Sequence, residues 1–198
     1  MSFNYVQYVV YTNLYKYFEF RGLTPLDPMM SEIALKNLFQ RDVYVKLAAR
    51  QDEDVLLILF FDKTSQMKPA ELKKVIEQQS KFTQVKTIMI LTYEEIKKIF
   101  EINFAKIMFC SYNVFKEYHP ESIHFPIKCE IIPSKNVRSF MEDLRIHEDW
   151  TGKIHSGPYA EPMVVWYNLQ PGQICAITTI CESTGFNLQY YKIIKTPS

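Results

Sequence analysis

The chain contains an unbroken apolar run, Val55-Leu56-Leu57-Ile58-Leu59-Phe60-Phe61. A strand with one wet face alternates polar and apolar residues; this one does not, so it must be covered on both faces. It is far too short to cross a bilayer as a helix, which needs about 20 apolar residues. The run therefore predicts a central strand with a layer packed on each side. The elements around it supply those layers. Val43 to Ala49 reads as a second strand, with Gln51-Asp52-Glu53-Asp54 as the turn between the two. Pro69 opens a helix with Leu72, Val75, Ile76 and Gln79 on one side, Thr87 to Leu91 is another buried strand, and Ile107-Met108-Phe109 is a short last one. Thr92-Tyr93-Glu94-Glu95 has the form of a capping box, Thr at the N-cap and Glu at N3, and opens a helix carrying Ile96, Ile99, Phe100 and Asn103. Strand–helix–strand–helix–strand order implies right-handed crossovers and a partly parallel sheet.

Two helices precede this set. Val6, Val9, Val10, Leu14, Tyr17 and Phe18 share a helical face, and Gly22 ends the segment as a C′ residue. Asp27-Pro28 reads as N-cap and N1 of a second helix bearing Met30, Ile33, Ala34, Asn37 and Leu38. Residues 116–128, polar and holding Pro120 and Pro126, are the candidate linker. Beyond it come a strand over Lys128–Ile132 and a helix capped by Ser134, with Val137, Phe140, Met141 and Leu144 at helical spacing. An irregular stretch over 151–160 follows, then a short helix opened by Pro162 and two closing strands. The reading is an α+β chain: an N-terminal α/β domain over 1–118 and a small α+β domain over 119–198.

Charge narrows the function. A net charge of +1 over 198 residues does not suit a protein that coats nucleic acid. Lysines scattered through the first domain alternate with Asp52, Glu53, Asp54, Glu71 and Glu77, the pattern of a solvated surface. The N-terminus has no basic region followed by an apolar stretch, so the expected location is intracellular. Four cysteines without a CxxC pair read as small buried hydrophobes.

Enzyme motifs are sparse. None of the five glycines belongs to a phosphate-binding loop, and there is no GxSxG elbow. Glu71-Leu72-Lys73 and Glu95-Ile96-Lys97 have the letters of a metal-dependent nuclease, whose carboxylates would hold Mg²⁺ with Asp54 or Asp62. Both lie on predicted helices, whereas that chemistry places them on a strand. Cys110, His119, His124 and Cys129 are spaced too widely for a structural zinc site. No cofactor or metal is expected on this chain.

The closing stretch is the most telling. Gly172-Gln173 feeds a strand, Ile174 to Ile180, apolar on both faces; Glu182-Ser183-Thr184-Gly185 is a polar loop; Leu188, Tyr190 and Ile194 line one face of the return strand, with Lys192 between them. A strand apolar on both faces in a small domain asks for cover on two sides, one of them a partner. This segment resembles the C-terminal signature of the RNA polymerase jaw-subunit family, which comprises the fifth shared subunit of the eukaryotic enzymes and its smaller archaeal counterpart. Gly172, Gln173, Glu182, Gly185 and Tyr190 match in register, and Ser183 stands where the family has Thr. Upstream, Lys153-Ile154 resembles the family's Arg-Ile and Glu161-Pro162 its Asp-Pro, so the resemblance covers about residues 125 to 195. It departs where the family's Lys, Arg and Pro are Ala176, Thr179 and Ile180, leaving no basic residue between Gly172 and Gly185.

The resemblance implies a non-catalytic subunit, one copy per complex, of a DNA-directed RNA polymerase. It implies docking on the largest subunit through Lys153, Ile154, Glu161, Pro162, Gly172, Gln173, Glu182, Ser183, Thr184, Gly185 and Tyr190. The first domain would form a jaw near downstream DNA, with Thr92, Tyr93, Lys97 and Lys98 as the DNA-proximal candidates and DNA contacted weakly or indirectly. A Thr-Pro-Ser-Ala turn of relatives is here Thr92-Tyr93-Glu94-Glu95, whose carboxylates repel phosphate. The divergence points to a large DNA virus as source, which implies virion and host cytoplasm, against the nucleus for a cellular subunit. The competing readings are the nuclease above and a stand-alone adaptor that binds by strand addition.

Overall fold

A computed structural model describes residues 5–42, 44–62, 69–79, 84–93, 107–123, 125–145, 147, 152–155, 161–181 and 183–195. The fold is mixed α+β, in two compact units, 1–116 and 117–198. The first unit holds a mixed five-stranded sheet in the order β1-β2-β3-β4-β5: β1 (Thr24–Pro25), β2 (Tyr44–Gln51), β3 (Asp54–Phe61), β4 (Val85–Thr92) and β5 (Ile107–Ser111). β3, β4 and β5 are parallel; β1, β2 and β3 are antiparallel.

The apolar run is the central strand, and every residue from Val55 to Phe61 is buried. Its neighbours are fixed on both edges: Ile58 lies opposite Leu47 on β2 and Met89 on β4. β2 and β3 are joined by Asp52-Glu53, with Asp52 at φ +53°, a left-handed conformation that Asp tolerates better than most residues. The crossover to β4 contains α3 (Pro69–Gln79), which buries Leu72 and Ile76. The helix expected to open at Thr92-Tyr93-Glu94-Glu95 falls outside the described residues from Glu94 on; Thr92 itself closes β4.

α1 (Tyr5–Phe20) ends as expected at Gly22. Gly22 N–H donates to Glu19 O and Leu23 N–H to Phe18 O, the paired bonds of a Schellman cap, and Gly22 takes φ +64°. Its buried face includes two amides among apolar residues, and both are satisfied. Gln7 Nε2 donates to Asp62 Oδ1 at 2.7 Å, and Asn13 Nδ2 donates to the Phe115 carbonyl at 2.7 Å. These bonds tie α1 to the end of β3 and to α4 (Asn113–Lys116).

The second helix begins later than the sequence implied. α2 is Glu32–Arg41, with Ser31 as N-cap, its Oγ accepting from Ala34 N–H. Asp27 and Pro28 are not helical, because α1 holds them out. The Tyr15 hydroxyl donates to the Asp27 carbonyl, Met30 N–H donates to the Tyr11 hydroxyl at 2.9 Å, and Leu26 N–H donates to the Ala48 carbonyl. The buried residue of α2 is Leu35; Ile33, expected on the core face, is 72% exposed.

The second unit is a four-stranded sheet, β6-β8-β9-β7: β6 (Lys128–Ile132), β7 (Gly152–His155), β8 (Ile174–Ile180) and β9 (Asn187–Lys195). β7 was not anticipated. It lies within the stretch read as irregular and pairs in parallel with β9, Ile154 opposite Ile194. Four residues beginning with Gly carry no periodic signal, and the partner strand is some forty residues away in sequence, so only the tertiary pairing defines it. One sheet face carries α5 (Val137–Asp143): Val137, Phe140 and Met141 pack on Ile132, Ile174 and Ile193. Ser134 does not cap α5 but starts a 3₁₀ turn before it, and Leu144, expected on the packing face, is 48% exposed beyond the last turn. α6 (Pro162–Tyr167) starts with Pro162 at N1, ends at Asn168 in the left-handed conformation, and buries Trp166 completely.

Leu59 is fully buried in the middle of β3, so Leu59→Ala removes its contacts and leaves a cavity in the first unit. Urea denaturation is expected to report a loss of about 2–5 kcal/mol in that unit's transition.

Candidate functional site

The closing hairpin is built on the register of β8 against β9. Ile174 faces Ile193, Ala176 faces Tyr191 and Ile177 faces Tyr190. Successive residues point to opposite faces, so Leu188, Tyr190, Lys192 and Ile194 share one face, as expected. The expectation that β8 needs an outside partner along its length is corrected. Ile174, Cys175, Ala176 and Ile177 are all buried within the chain's own fold. The α5 cluster covers one face. On the other, Phe125 packs edge-on to Trp166 at 5.4 Å and beside Tyr118 at 4.8 Å, and Tyr167 stacks on Phe125 at 5.7 Å. Among the described residues, the large apolar side chains of the hairpin are exposed at its far end. Ile180 is 54%, Phe186 77% and Leu188 51% exposed, and Ile127, whose N–H donates to the Thr178 carbonyl, is 58% exposed.

Two sequence-selected residues turn out to hold the hairpin together at its base. Gly172 takes φ +81°; its N–H donates to the Ile194 carbonyl at 2.8 Å, and a Cβ there would approach Ser134 Cβ to 3.3 Å. Gln173 accepts Ile194 N–H through its carbonyl, while its side-chain oxygen accepts from Gln170 N–H at 2.7 Å. Glu161 precedes α6 and pairs with Lys192 across 3.7 Å, a partly solvated ion pair of small energetic weight. Tyr190 is half-buried, 5.9 Å below the Lys192 ammonium, and burial raises its hydroxyl pKa. Glu161, Lys192 and Tyr190 are thus brought together on one side of the sheet. Lys153 and Ile154 lie in β7 beside β9, and their side chains lie outside the described residues.

The loop itself is self-bonded. Cys181 N–H donates to Phe186 O, and Gly185 N–H returns to Cys181 O at 2.8 Å, with Gly185 at φ +70° and open space around it. Thr184 Oγ1 accepts from Phe186 N–H. Glu182 is outside the described residues. Cys181 was missed as a chemically distinct group. Its Sγ lies 3.2 Å from Ser183 Oγ, and the Ser183 and Thr184 hydroxyls and backbone N–H groups stabilise the thiolate, drawing the thiol pKa down to about 7. A Cys with Ser and Thr two and three residues on, ahead of a turn glycine, is the signal that was there to read. Beneath the sheet, Cys129 and Cys175 share a hydrogen bond that pulls Cys129 down and, with burial, pushes Cys175 up.

The first unit offers less. Thr92 ends β4 and its carbonyl accepts Tyr112 N–H; Tyr93 is 39% exposed and sits edge-on to Tyr112 at 5.6 Å. Lys97 and Lys98 fall outside the described residues. Glu71 is exposed on α3; Asp54 opens β3, and Asp62, just past its end, accepts from Gln7 Nε2. Glu95 lies outside the described residues, and among the described residues no three His, Cys, Asp or Glu side chains group as a metal site. Among them, too, no helix is long and apolar enough to cross a membrane.

No protein-family profile matches the chain, and no curated protein matches it significantly.

Two outcomes follow from this geometry. Gly172→Ala forces a side chain into a left-handed backbone beside Ser134 and is expected to cost about 1–2 kcal/mol in thermal unfolding of the second unit. Alkylation by iodoacetamide, followed by peptide mass spectrometry, should modify Cys181 first, its rate rising with pH through a midpoint of about 7 as the thiolate forms. Cys110, completely buried with its thiol pushed up to about 12, should stay unmodified in the folded protein.

Proposed function

We propose that this chain is a non-catalytic structural subunit of a multi-subunit DNA-directed RNA polymerase, docked on the largest subunit through the closing hairpin. The observation that carries the reading is the form of that hairpin. Of the positions through which it resembles the polymerase jaw-subunit signature, Gly172, Gln173, Glu182, Gly185 and Tyr190, three shape its base and tip: Gly172, Gln173 and Gly185. A self-bonded loop needs no partner to hold its shape. Yet Ile127, Ile180, Phe186 and Leu188 remain exposed at its end, an apolar surface of the kind that partners cover. Catalysis, through metal held by other chains, would lie outside this one. Because the carboxylates of Glu94 and Glu95 follow Thr92 and Tyr93 in sequence and repel phosphate, the contribution of the first unit to DNA binding is proposed to be small and indirect. Both a viral and a cellular polymerase fit, with the locations each implies.

The test is purification of the tagged chain from its native cells or virions. Co-elution with the large polymerase subunits at one copy each is expected, and recovery only as a free monomer would remove the proposal. Phe186→Asp with Leu188→Asp is the informative variant, because both side chains are exposed and the unit should still fold. It should release the chain from the complex while leaving its thermal unfolding unchanged.

A further inference from the structure

Within the first unit, a sheet edge that is open among the described residues borders a cleft. β1 covers β2 only at its end, pairing Thr24 with Arg50 and Pro25 with Ala49. From Tyr44 to Leu47, β2 is paired on the β3 side alone among the described residues. Backbone direction is fixed by two bonds. The Ala48 carbonyl accepts Leu26 N–H on the outer side, and Val55 N–H reaches Gln84 on the far side of β3. Alternation then turns the N–H and C=O groups of Val45 and Leu47 toward β3, and those of Tyr44 and Lys46 outward. Beside this edge lies a cleft of about 800 Å³, within the usual range of roughly 300–1,000 Å³ for ligand sites. Its apolar lining includes Pro28, Met30, Leu38, Val45 and Leu47, so α2 with the segment before it forms one wall and the β2 edge the other.

A strand edge facing a helix across an apolar cleft matches the geometry of strand addition. The outward N–H and C=O groups bind an extended backbone, and alternate side chains of the guest drop into the cleft. Charge selects among guests. Lys46 is exposed at the middle of the open edge, makes no ion pair among the described residues, and has Leu59 as its cross-strand neighbour. Asp42, just before the strand and next to Arg41, lines the cleft, and so does Asp27, which follows the Leu26 that bonds Ala48. A second copy of this chain is disfavoured, since the antiparallel register that pairs all of 44–48 with itself sets Lys46 against Lys46.

We infer that the cleft between α2 and the β2 edge captures an extended segment of a partner protein by strand addition. The segment carries an acidic residue opposite Lys46, an apolar residue on each side of it dipping toward Leu38 and Leu47, and basic residues near its ends. This site is independent of the hairpin and of the polymerase reading.

The experiment uses the full chain and the probe acetyl-Lys-Thr-Val-Glu-Val-Thr-Lys-amide, labelled with fluorescein. The probe reads the same in both chain directions, so it presupposes neither parallel nor antiparallel addition. Fluorescence anisotropy should detect binding, and a probe with Lys in place of the central Glu should bind about tenfold more weakly, a difference of ~1.4 kcal/mol. Lys46→Glu should reverse that preference. Amide exchange followed by NMR should slow at Tyr44 and Lys46 on binding, with no change at Val45 and Leu47, which already bond to β3. Lys46→Pro, which removes an outward donor from an edge strand without touching the β3 ladder, should abolish binding while the NMR spectrum stays folded. Should Lys46→Pro unfold, Lys46→Glu and the exchange pattern decide instead. Equal binding of the two probes, no binding at all, unchanged exchange at Tyr44 and Lys46, or a concentration-dependent dimer that protects the edge without any probe would each overturn the proposal.

Discussion

The double-sided burial of β3 is the constraint on which the first unit depends. A strand that buries both faces removes about seven large side chains from water at once, each worth roughly 1.5–3 kcal/mol. It can do so only if strands flank it on both edges and other elements cover both faces. The antiparallel partner β2 is reached through a tight turn at Asp52-Glu53, and the parallel partner β4 by a crossover containing α3. The buried amides of Gln7 and Asn13 answer the same requirement. Each is hydrogen-bonded where α1 meets the sheet or α4, because a buried amide left unpaired costs about 1–3 kcal/mol.

The second unit meets a similar demand differently. Its sheet is small, yet the first half of β8 is closed on both faces, by the α5 cluster on one and the Phe125–Trp166–Tyr167 aromatics on the other. The rest of the hairpin extends past both coverings. Its tip is held by backbone bonds between Cys181, Gly185 and Phe186, so its exposed apolar side chains are presented on a defined frame. That division into a packed base and a bare end is the feature on which the docking proposal rests. It also places Cys181, with its lowered thiol pKa, at the edge of the exposed region.

Much of this was legible from residues alone where a local rule governs. The apolar run of β3, the Gly22 cap, Pro162 at the start of α6, the β8–β9 hairpin and its Gly172 turn each follow from periodicity or backbone stereochemistry within a few residues. The misreadings share a cause in long-range contact. α2 begins at Ser31 instead of Asp27 because tyrosines of α1 bind the intervening backbone. β7 exists because β9 is there to pair with it.

By itself, the sequence determined which segments must be buried, where the chain turns and that a closing hairpin exists, since hydrophobic period and glycine or proline geometry act over a few residues. It also supplied the polymerase-subunit resemblance on which the functional proposal rests. Only the tertiary structure decided what covers what. It closed the first half of β8 from both sides and left Phe186 and Leu188 bare. It also ended β1 after two residues, so that the edge of β2 opens on a cleft. Exposure depends on which distant elements arrive at a face, and no local pattern encodes that arrival.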